Sequence, residues 1–354
     1  MTTVFVINPG ATSTKVALFK NDDKTFSETI EHRADEMAVF NRIYEQREYR
    51  GGLLRKWLAE NKIEISDLDA IVSRGGILKP LVGGTYYINE LMIGDLEKAE
   101  HGEHAANLGA ALAWDLGAPY GLPLFIVDPV SVDEYRPEAR ISGLKELPRN
   151  SLAHTLNCRA VAMRMAAEWG RAYKDLRLIV AHLGAGISVT VHKEGKMIDS
   201  NNPYEAGPMC PDRSGALPTQ GLVRLAFTGK YDEYSLIKKI HREGGLYDHL
   251  GTKDMREAEK MAAAGDDYAA LVLRAMIYQI AKEIGAMSTV LKGVVDGIII
   301  TGGMAYSEWL QSELEKRISF IAPVIFRPGE KEMEALMEGA CRVLNGEEEA
   351  HIYR

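Results

Sequence analysis

One stretch of this chain is written twice. Val4 to Lys20 reads VFVINPGATSTKVALFK, Leu178 to Lys196 reads LIVAHLGAGISVTVHKEGK, and the two align at an offset of 174 residues. Under that offset Val6 falls on Val180, Asn8 on His182, Gly10 on Gly184, Ala11 on Ala185 and Thr14 on Ser188. Each copy is an apolar run, a turn of small residues, and then alternating polar and β-branched residues, the pattern of a strand, a tight loop and a returning strand. Two hairpins of one design, half a chain apart, point to a duplicated domain. With 354 residues, the chain has room for two domains of ordinary size, each with its own core.

The turns limit the chemistry. Gly10-Ala11-Thr12-Ser13-Thr14 and Gly184-Ala185-Gly186 carry little side-chain bulk, so successive backbone N–H groups are able to converge on an anion, with the hydroxyls of Thr12, Ser13 and Thr14 as further donors. A lone glycine turn in a hairpin is more often only a turn. Two at equivalent places in two halves are what a nucleotide held between two domains requires, a phosphate cradle from each.

Taken in order, the rest of the chain alternates strands and helices. Thr25 to His32 reads as a third strand, and Arg42 to Asn61 as a charged helical segment interrupted by Gly51-Gly52. A strand over Ala70 to Ser73 runs into Arg74-Gly75-Gly76, where the arginine is either a binding group or a solvated residue before a turn. Leu91 to Gly117 reads as one helical stretch containing His101 and His104, whose HGEH spacing does not fit a zinc helix, so they read as surface or packing residues. The apolar run Leu124 to Val127 has the look of a buried parallel strand ending in Asp128, a functional carboxylate or the cap of a turn before Pro129. His154 precedes a helix, as a site residue or a buried neutral histidine. Asn201 to Gln220 is a long loop without periodicity whose only cation is Arg213, and such loops inside compact domains tend to be functional. Leu222 to Gly265 reads as helices and a turn, and Asp266 to Gly293 as a long amphipathic helix. Val294 to Ile300 is a buried strand that ends in Thr301-Gly302-Gly303-Met304, where a planar base or ribose has close access to the backbone. A strand over Ala322 to Phe326, then Glu330 and Glu332, lead to a last helix over Met333 to Leu344.

A pair of strand-loop-strand phosphate motifs, one per half, resembles the actin, hexokinase and heat-shock ATPase superfamily. Within it, HLGAG at His182, SRGGILKP at Arg74, FIVDPVSVDEY at Asp128 and DRSGALPT at Arg213 resemble the acetate and butyrate kinase family, most closely its butyrate kinase branch. Ala185 stands where acetate kinases usually have Asn, which removes one side-chain amide from the loop and leaves the backbone donors. The resemblance implies an α/β fold of two duplicated ribonuclease H-like, actin-like ATPase domains with a nucleotide cleft between them. It implies an acyl-substrate domain over residues 1–150 closed by a helix over 333–354, and a nucleotide domain over 151–332. The implied activity is reversible, ATP-dependent phosphorylation of a short or branched carboxylate to its acyl phosphate, with acetate or propionate as alternative acceptors. Arg74, Asp128, His182 and Arg213 would be catalytic, with His154 in support. Asn8, Gly10, Thr12, Ser13 and Thr14, Gly184, Ala185 and Gly186, and Gly302, Gly303 and Met304 would bind ATP or ADP. Mg²⁺ would be held by Asn8, by Asp128 directly or through water, and by Glu330 or Glu332, since the register near the last helix is ambiguous. A homo-oligomer is implied by the family alone. From other classes, an actin-like nucleotide switch would have no use for two such arginines, and a sugar kinase would want Asp128 as a general base.

Charge and composition narrow the partners. A net charge of −8 argues against a nucleic-acid or anionic-membrane surface. No apolar run approaches the length of a membrane span, and MTTVFVINPG enters a strand without a signal-peptide pattern, so the expected compartment is the cytoplasm. Cys158, Cys210 and Cys341 are far apart, with no CxxC pair, and read as idle or buried thiols.

Overall fold

A computed structural model describes residues 2–21 and 23–354. The chain gathers into two compact units, Met1–Asp133 with Lys331–Arg354, and Glu134–Glu330. Residues 134–150, which the sequence reading placed in the first domain, group with the second unit. Arg136 N–H donates to the Ile198 carbonyl, the Tyr135 hydroxyl to the Ser200 carbonyl at 2.7 Å, and Arg149 reaches Asp199 at 2.9 Å.

The first unit is built on β1 (Thr3–Pro9), β2 (Ser13–Lys20), β3 (Asp23–Glu31), β4 (Ala70–Arg74), β5 (Thr85–Tyr87) and β6 (Leu124–Val127). The sheet order is β5-β6-β4-β1-β2-β3, with a two-residue strand, His351–Ile352, beyond β5. β1 runs antiparallel to β2 and parallel to β4, which is parallel to β6. The second unit is built on β7 (Arg177–Leu183), β8 (Ile187–Lys193), β9 (Lys196–Ser200), β10 (Gly297–Gly302) and β11 (Val324–Pro328), in the order β11-β10-β7-β8-β9. Its β7 is antiparallel to β8 and parallel to β10, which is parallel to β11. The two orders β3-β2-β1-β4-β6 and β9-β8-β7-β10-β11 are the same five-stranded design. β1 and β7 also have equal lengths and stand at the offset of the sequence repeat.

Strand sequence follows strand position. VFVINP of β1 and GIIITG of β10 are buried throughout, because parallel strands in the middle of such sheets are covered on both faces. β3 lies at an edge and is almost wholly exposed, and its Asp23, Lys24, Glu28 and Glu31 keep that edge from pairing with another chain. The helix Asp267–Val290 begins at Asp266, whose carboxylate accepts the Ala269 N–H at 2.9 Å, and buries Val272, Leu273, Met276, Ile277, Ile280, Ile284 and Met287 on one face.

Two helical expectations need correction. Gly51-Gly52 does not interrupt its segment, since one helix runs from Arg47 to Glu60. Two glycines cost a helix about 2 kcal/mol against alanine. Burial of Leu54, Trp57 and Leu58 offsets that. The stretch 91–117 is two helices, Glu90–Lys98 and Asn107–Gly117, parted where Ala99 adopts φ 54°. His101 and His104 therefore lie in the turn between helices.

Burial pushes the thiols of Cys158 and Cys210 up to about 12, so both stay protonated and inert at neutral pH. It pushes histidines the other way. His32 is lowered to about 4, mainly by burial and then by Arg50, and His192 to about 3, mainly by burial and then by Arg159. In the unfolded chain both would take up a proton near pH 6.5, which the folded chain refuses. Their contribution to stability is therefore complete above pH 6.5 and declines as pH falls toward about 4 for His32 and about 3 for His192. The urea midpoint should fall over that interval, and a midpoint flat from pH 7 to 4.5 would contradict the neutral assignment.

Candidate active site

In the first unit, the candidate residues cluster at the carboxyl ends of three neighbouring parallel strands, where open α/β sheets place their binding groups. Asn8 is near the end of β1, Arg74 ends β4, and Asp128 follows β6. Glu332 opens the helix Glu332–Leu344, whose N-terminal dipole favours a carboxylate there. The Asn8 side-chain amide donates to Glu332 Oε2 at 2.8 Å, and Arg74 Nη1 donates to the same oxygen at 3.4 Å. His104 belongs to this cluster as well. Its pKa is lowered mainly by burial and next by Arg74, with Glu332 acting in the opposite direction. Sequence reasoning set His104 aside, and no local signal ties it to a residue thirty positions earlier.

Asp128 is buried, adopts φ 39°, and accepts the Gly84 N–H on Oδ1 at 2.7 Å. A non-glycine residue in that backbone region is uncommon and is held by its surroundings. The Gly10–Thr14 turn is closed by Gly10 N–H donating to the Ser13 carbonyl at 2.7 Å. The Ala11 and Thr12 N–H groups of this turn make no hydrogen bond among the described residues, so they are available as donors.

In the second unit, His182 is near the end of β7, the position of Asn8 in the repeat, and is 1% exposed. Its Nδ1 is 3.0 Å from Asn157 Oδ1, its Nε2 is 3.5 Å from Glu330 Oε1, and its ring stacks on His154 with centroids 4.0 Å apart. Asn157 Nδ2 donates to the Glu330 carbonyl, which fixes the amide so that Oδ1 accepts and His182 Nδ1 donates. His154 Nδ1 in turn meets Ser188 Oγ at 2.9 Å.

Arg213 lies against the second small-residue turn. A side chain at Gly186 would collide with its guanidinium, which stacks on the Tyr204 ring at 4.2 Å. Its Nε and Nη1 are buried without a hydrogen-bond partner among the described residues. Buried charged donors are seldom left so, because the desolvation of each goes uncompensated. An anion at this turn would satisfy both. Beside it, a cavity of about 1090 Å³ is lined by Gly184, Ala185, Asp212, Gly303, Met304 and Glu330, among others.

Gly302 ends β10 with φ 91°, and a Cβ there would run into the Leu183 backbone. Gly302→Ala should lower unfolding free energy by at least about 2 kcal/mol, the sum of a left-handed penalty and a strained β7–β10 pairing. Urea denaturation checks it, and an unchanged midpoint would mean the turn relaxes freely.

Glu330 and Glu332, interchangeable in sequence, therefore separate. Glu332 is with Asn8 and Arg74 in the first unit, and Glu330 is with His182 in the second. Among the described residues no group of three or more His, Cys, Asp or Glu side chains is placed to hold a metal. No helix among them is long and apolar enough to cross a membrane.

The acetokinase family model matches residues 148–314. Butyrate kinase 2 of Clostridium acetobutylicum is 48% identical over 352 residues, covering 99% of this chain and 99% of that protein. Probable butyrate kinase 2 of Caldanaerobacter subterraneus subsp. tengcongensis is 48% identical over 350 residues, again 99% of each. Among solved structures, the acetate kinase of Porphyromonas gingivalis superposes with a TM-score of 0.78 at 19% identity, over 96% of this chain and 99% of that one. A propionate kinase from Francisella tularensis gives 0.74 at 18% identity, with the same coverage. At such identities these structures show the fold, a two-domain α/β architecture. The near-complete alignment at 48% identity shows the family: the chain belongs to the acetokinase family.

Proposed function

We propose that this chain catalyses the reversible transfer of the γ-phosphoryl group of ATP to butyrate or a similar short or branched carboxylate, giving ADP and the acyl phosphate. The observation that carries the reading is the half-buried Arg213 guanidinium against the Gly184–Gly186 turn, whose buried Nε and Nη1 have no hydrogen-bond partner among the described residues, with Asp212 Oδ1 3.9 Å from Nε. Full-length similarity to butyrate kinases supports the choice of acceptor.

The step needs little covalent help from the protein. A carboxylate oxygen attacks the γ-phosphorus while the bond from that phosphorus to the β-bridging oxygen breaks, and ADP leaves with the electron pair. No base is needed, because the acceptor is already ionised at neutral pH. Arg74 grips the acceptor carboxylate with a planar, forked donor. Arg213 donates to the transferring phosphoryl, and His182, with its Nδ1–H held by Asn157 and its ring against His154, donates from Nε2 in its imidazolium form. Asp128, which follows the strand beside that of Arg74, accepts the Gly84 N–H. The turns at Gly10, Thr12, Ser13 and Thr14 and at Gly184, Ala185 and Gly186 hold phosphates through backbone and hydroxyl donors. Gly302, Gly303 and Met304 border the nucleoside site.

Glu332 and Asn8 suit Mg²⁺, which commonly takes one or two protein oxygens and fills its other positions with water and substrate phosphate. When bound, Mg²⁺ would neutralise charge on the β- and γ-phosphates. By the same reading the enzyme is a cytoplasmic homo-oligomer. Support for self-association comes from the helices Thr219–Ala226 and Glu233–Arg242, which have no buried residue and leave Phe227 88% and Tyr234 78% exposed.

The test is ATP, Mg²⁺ and a panel of carboxylates from acetate to valerate and isobutyrate, with hydroxylamine to trap acyl phosphate. Product should peak at four or five carbons. A peak at acetate or propionate would move the acceptor, and nucleotide binding without product from any acid would sink the kinase reading. One methylene is worth only about 1–3 kcal/mol in an apolar pocket, so the profile should be graded.

A further inference from the structure

We propose that Arg50 is a positioning residue for phosphoryl transfer, which holds the carbonyls of the Gly10–Thr14 turn inward so that its N–H groups face out, and sets a positive charge behind them. The inference rests on the kinase reading above and adds a residue that the motif does not contain.

Arg50 lies on the Arg47–Glu60 helix and is 1% exposed. Nη1 donates to the Gly10 carbonyl at 2.8 Å, to the Ser13 carbonyl at 3.3 Å and to Thr14 Oγ1 at 3.1 Å. Nη2 donates to the Ala11 carbonyl at 3.3 Å and to Gln46 Oε1 at 2.8 Å, and Nε donates to the same Gln46 oxygen at 3.1 Å. The one remaining carbonyl of the turn, that of Thr12, accepts the His32 N–H at 2.9 Å. Every carbonyl from Gly10 to Ser13 is thus engaged from within the protein.

A trans peptide sets its C=O and the following N–H in opposite directions. With the Gly10 and Ala11 carbonyls turned to Arg50, the Ala11 and Thr12 N–H groups point away from it. These are the two that make no hydrogen bond among the described residues, and both residues are exposed. One forked guanidinium therefore gives the turn its polarity, carbonyls inside and donors outside.

The charge matters separately. Arg50 has no carboxylate within ion-pair distance among the described residues, and its acceptors are carbonyls, a hydroxyl and an amide. Burial pushes its pKa down to about 10, which leaves it cationic at neutral pH. A buried cation answered only by neutral oxygens is costly to keep. An anion on the far side of the turn recovers part of that cost, and the phosphoryl group is such an anion.

Two variants separate fork from charge. Arg50→Lys keeps the charge and loses the fork, and Gln46→Glu keeps the fork and gives the charge a partner. Both should retain MgADP affinity within about threefold, while kcat for acyl phosphate, per nucleotide-binding site, falls by about a hundredfold in Arg50→Lys and about tenfold in Gln46→Glu. Amide exchange gives a readout independent of turnover. Adding Mg²⁺ and β,γ-methylene-ATP should slow exchange at residues 10–14 in the wild type and not in Arg50→Lys, while residues 297–306 are protected in both. Wild-type kcat per site in either variant, or equal slowing at 10–14, would overturn the proposal. If Arg50→Lys does not fold, Gln46→Glu decides. If the wild type makes no acyl phosphate, the kinase reading fails by itself, and the exchange comparison still decides the role of Arg50.

Discussion

Arg213→Ala should lose acyl phosphate formation by about a thousandfold in kcat/KM, because one buried donor to developing charge is worth about 3–4 kcal/mol and the guanidinium supplies more than one. The protein should remain folded. Removing Arg213 relieves two buried donors without hydrogen bonds and gives up a stacking contact with Tyr204 and a 3.9 Å ion pair with Asp212, opposing effects that partly cancel. Gly186→Ala offers a second route to the same end, since its methyl occupies the space of the guanidinium and drives it from the turn. The two variants should resemble each other in kcat and differ in rescue, with added guanidinium restoring part of the rate only in Arg213→Ala. If Arg213→Ala kept more than a tenth of the wild-type rate, the arginine would be a structural plug, and the anion site would have to be sought elsewhere.

Glu332→Gln should raise the Mg²⁺ concentration for half-maximal rate by about ten- to a hundredfold, the range seen when a group that supports a metal site is removed. Glu330→Gln should change it by less than about threefold, because Glu330 lies with His182, whereas the Asn8 amide meets Glu332. An intermediate outcome has a direct interpretation in isothermal titration with Mg²⁺ and ADP. Equal effects of the two substitutions would mean that both carboxylates serve the metal, and the reverse order would assign it to Glu330. Conservation of volume in both variants keeps the comparison free of packing effects.

How far each feature was legible depended on its range in the sequence. The hairpins were readable because period-two alternation and a small-residue turn are local, and their repetition excluded coincidence. The strand ends carrying Arg74 and Asp128 were readable because a short apolar run bounded by glycine or proline marks a buried parallel strand. The helices were harder. Gly51-Gly52 suggested a break that the core overrode by burying Leu54, Trp57 and Leu58, and the break at Ala99 has no glycine or proline to announce it. Arg50 sits in a charged helix whose composition suggests solvent on most faces. Nothing within ten residues says that its guanidinium turns inward.

The sequence by itself determined the duplicated hairpins, the composition of both phosphate turns, and which residue types stand at the strand ends, since each rests on interactions within a few positions of the chain. Only the tertiary structure decided that Glu332 meets Asn8, that His182 is flanked by Asn157 and His154, and that Arg50 lies under the first turn. The Asn8–Glu332 pair is separated by 324 positions and the Arg50–Gly10 pair by 40. Such pairs form only when sheet order brings distant segments together, and what selects them is the cost of leaving a buried charge or amide without a partner, which no local pattern encodes.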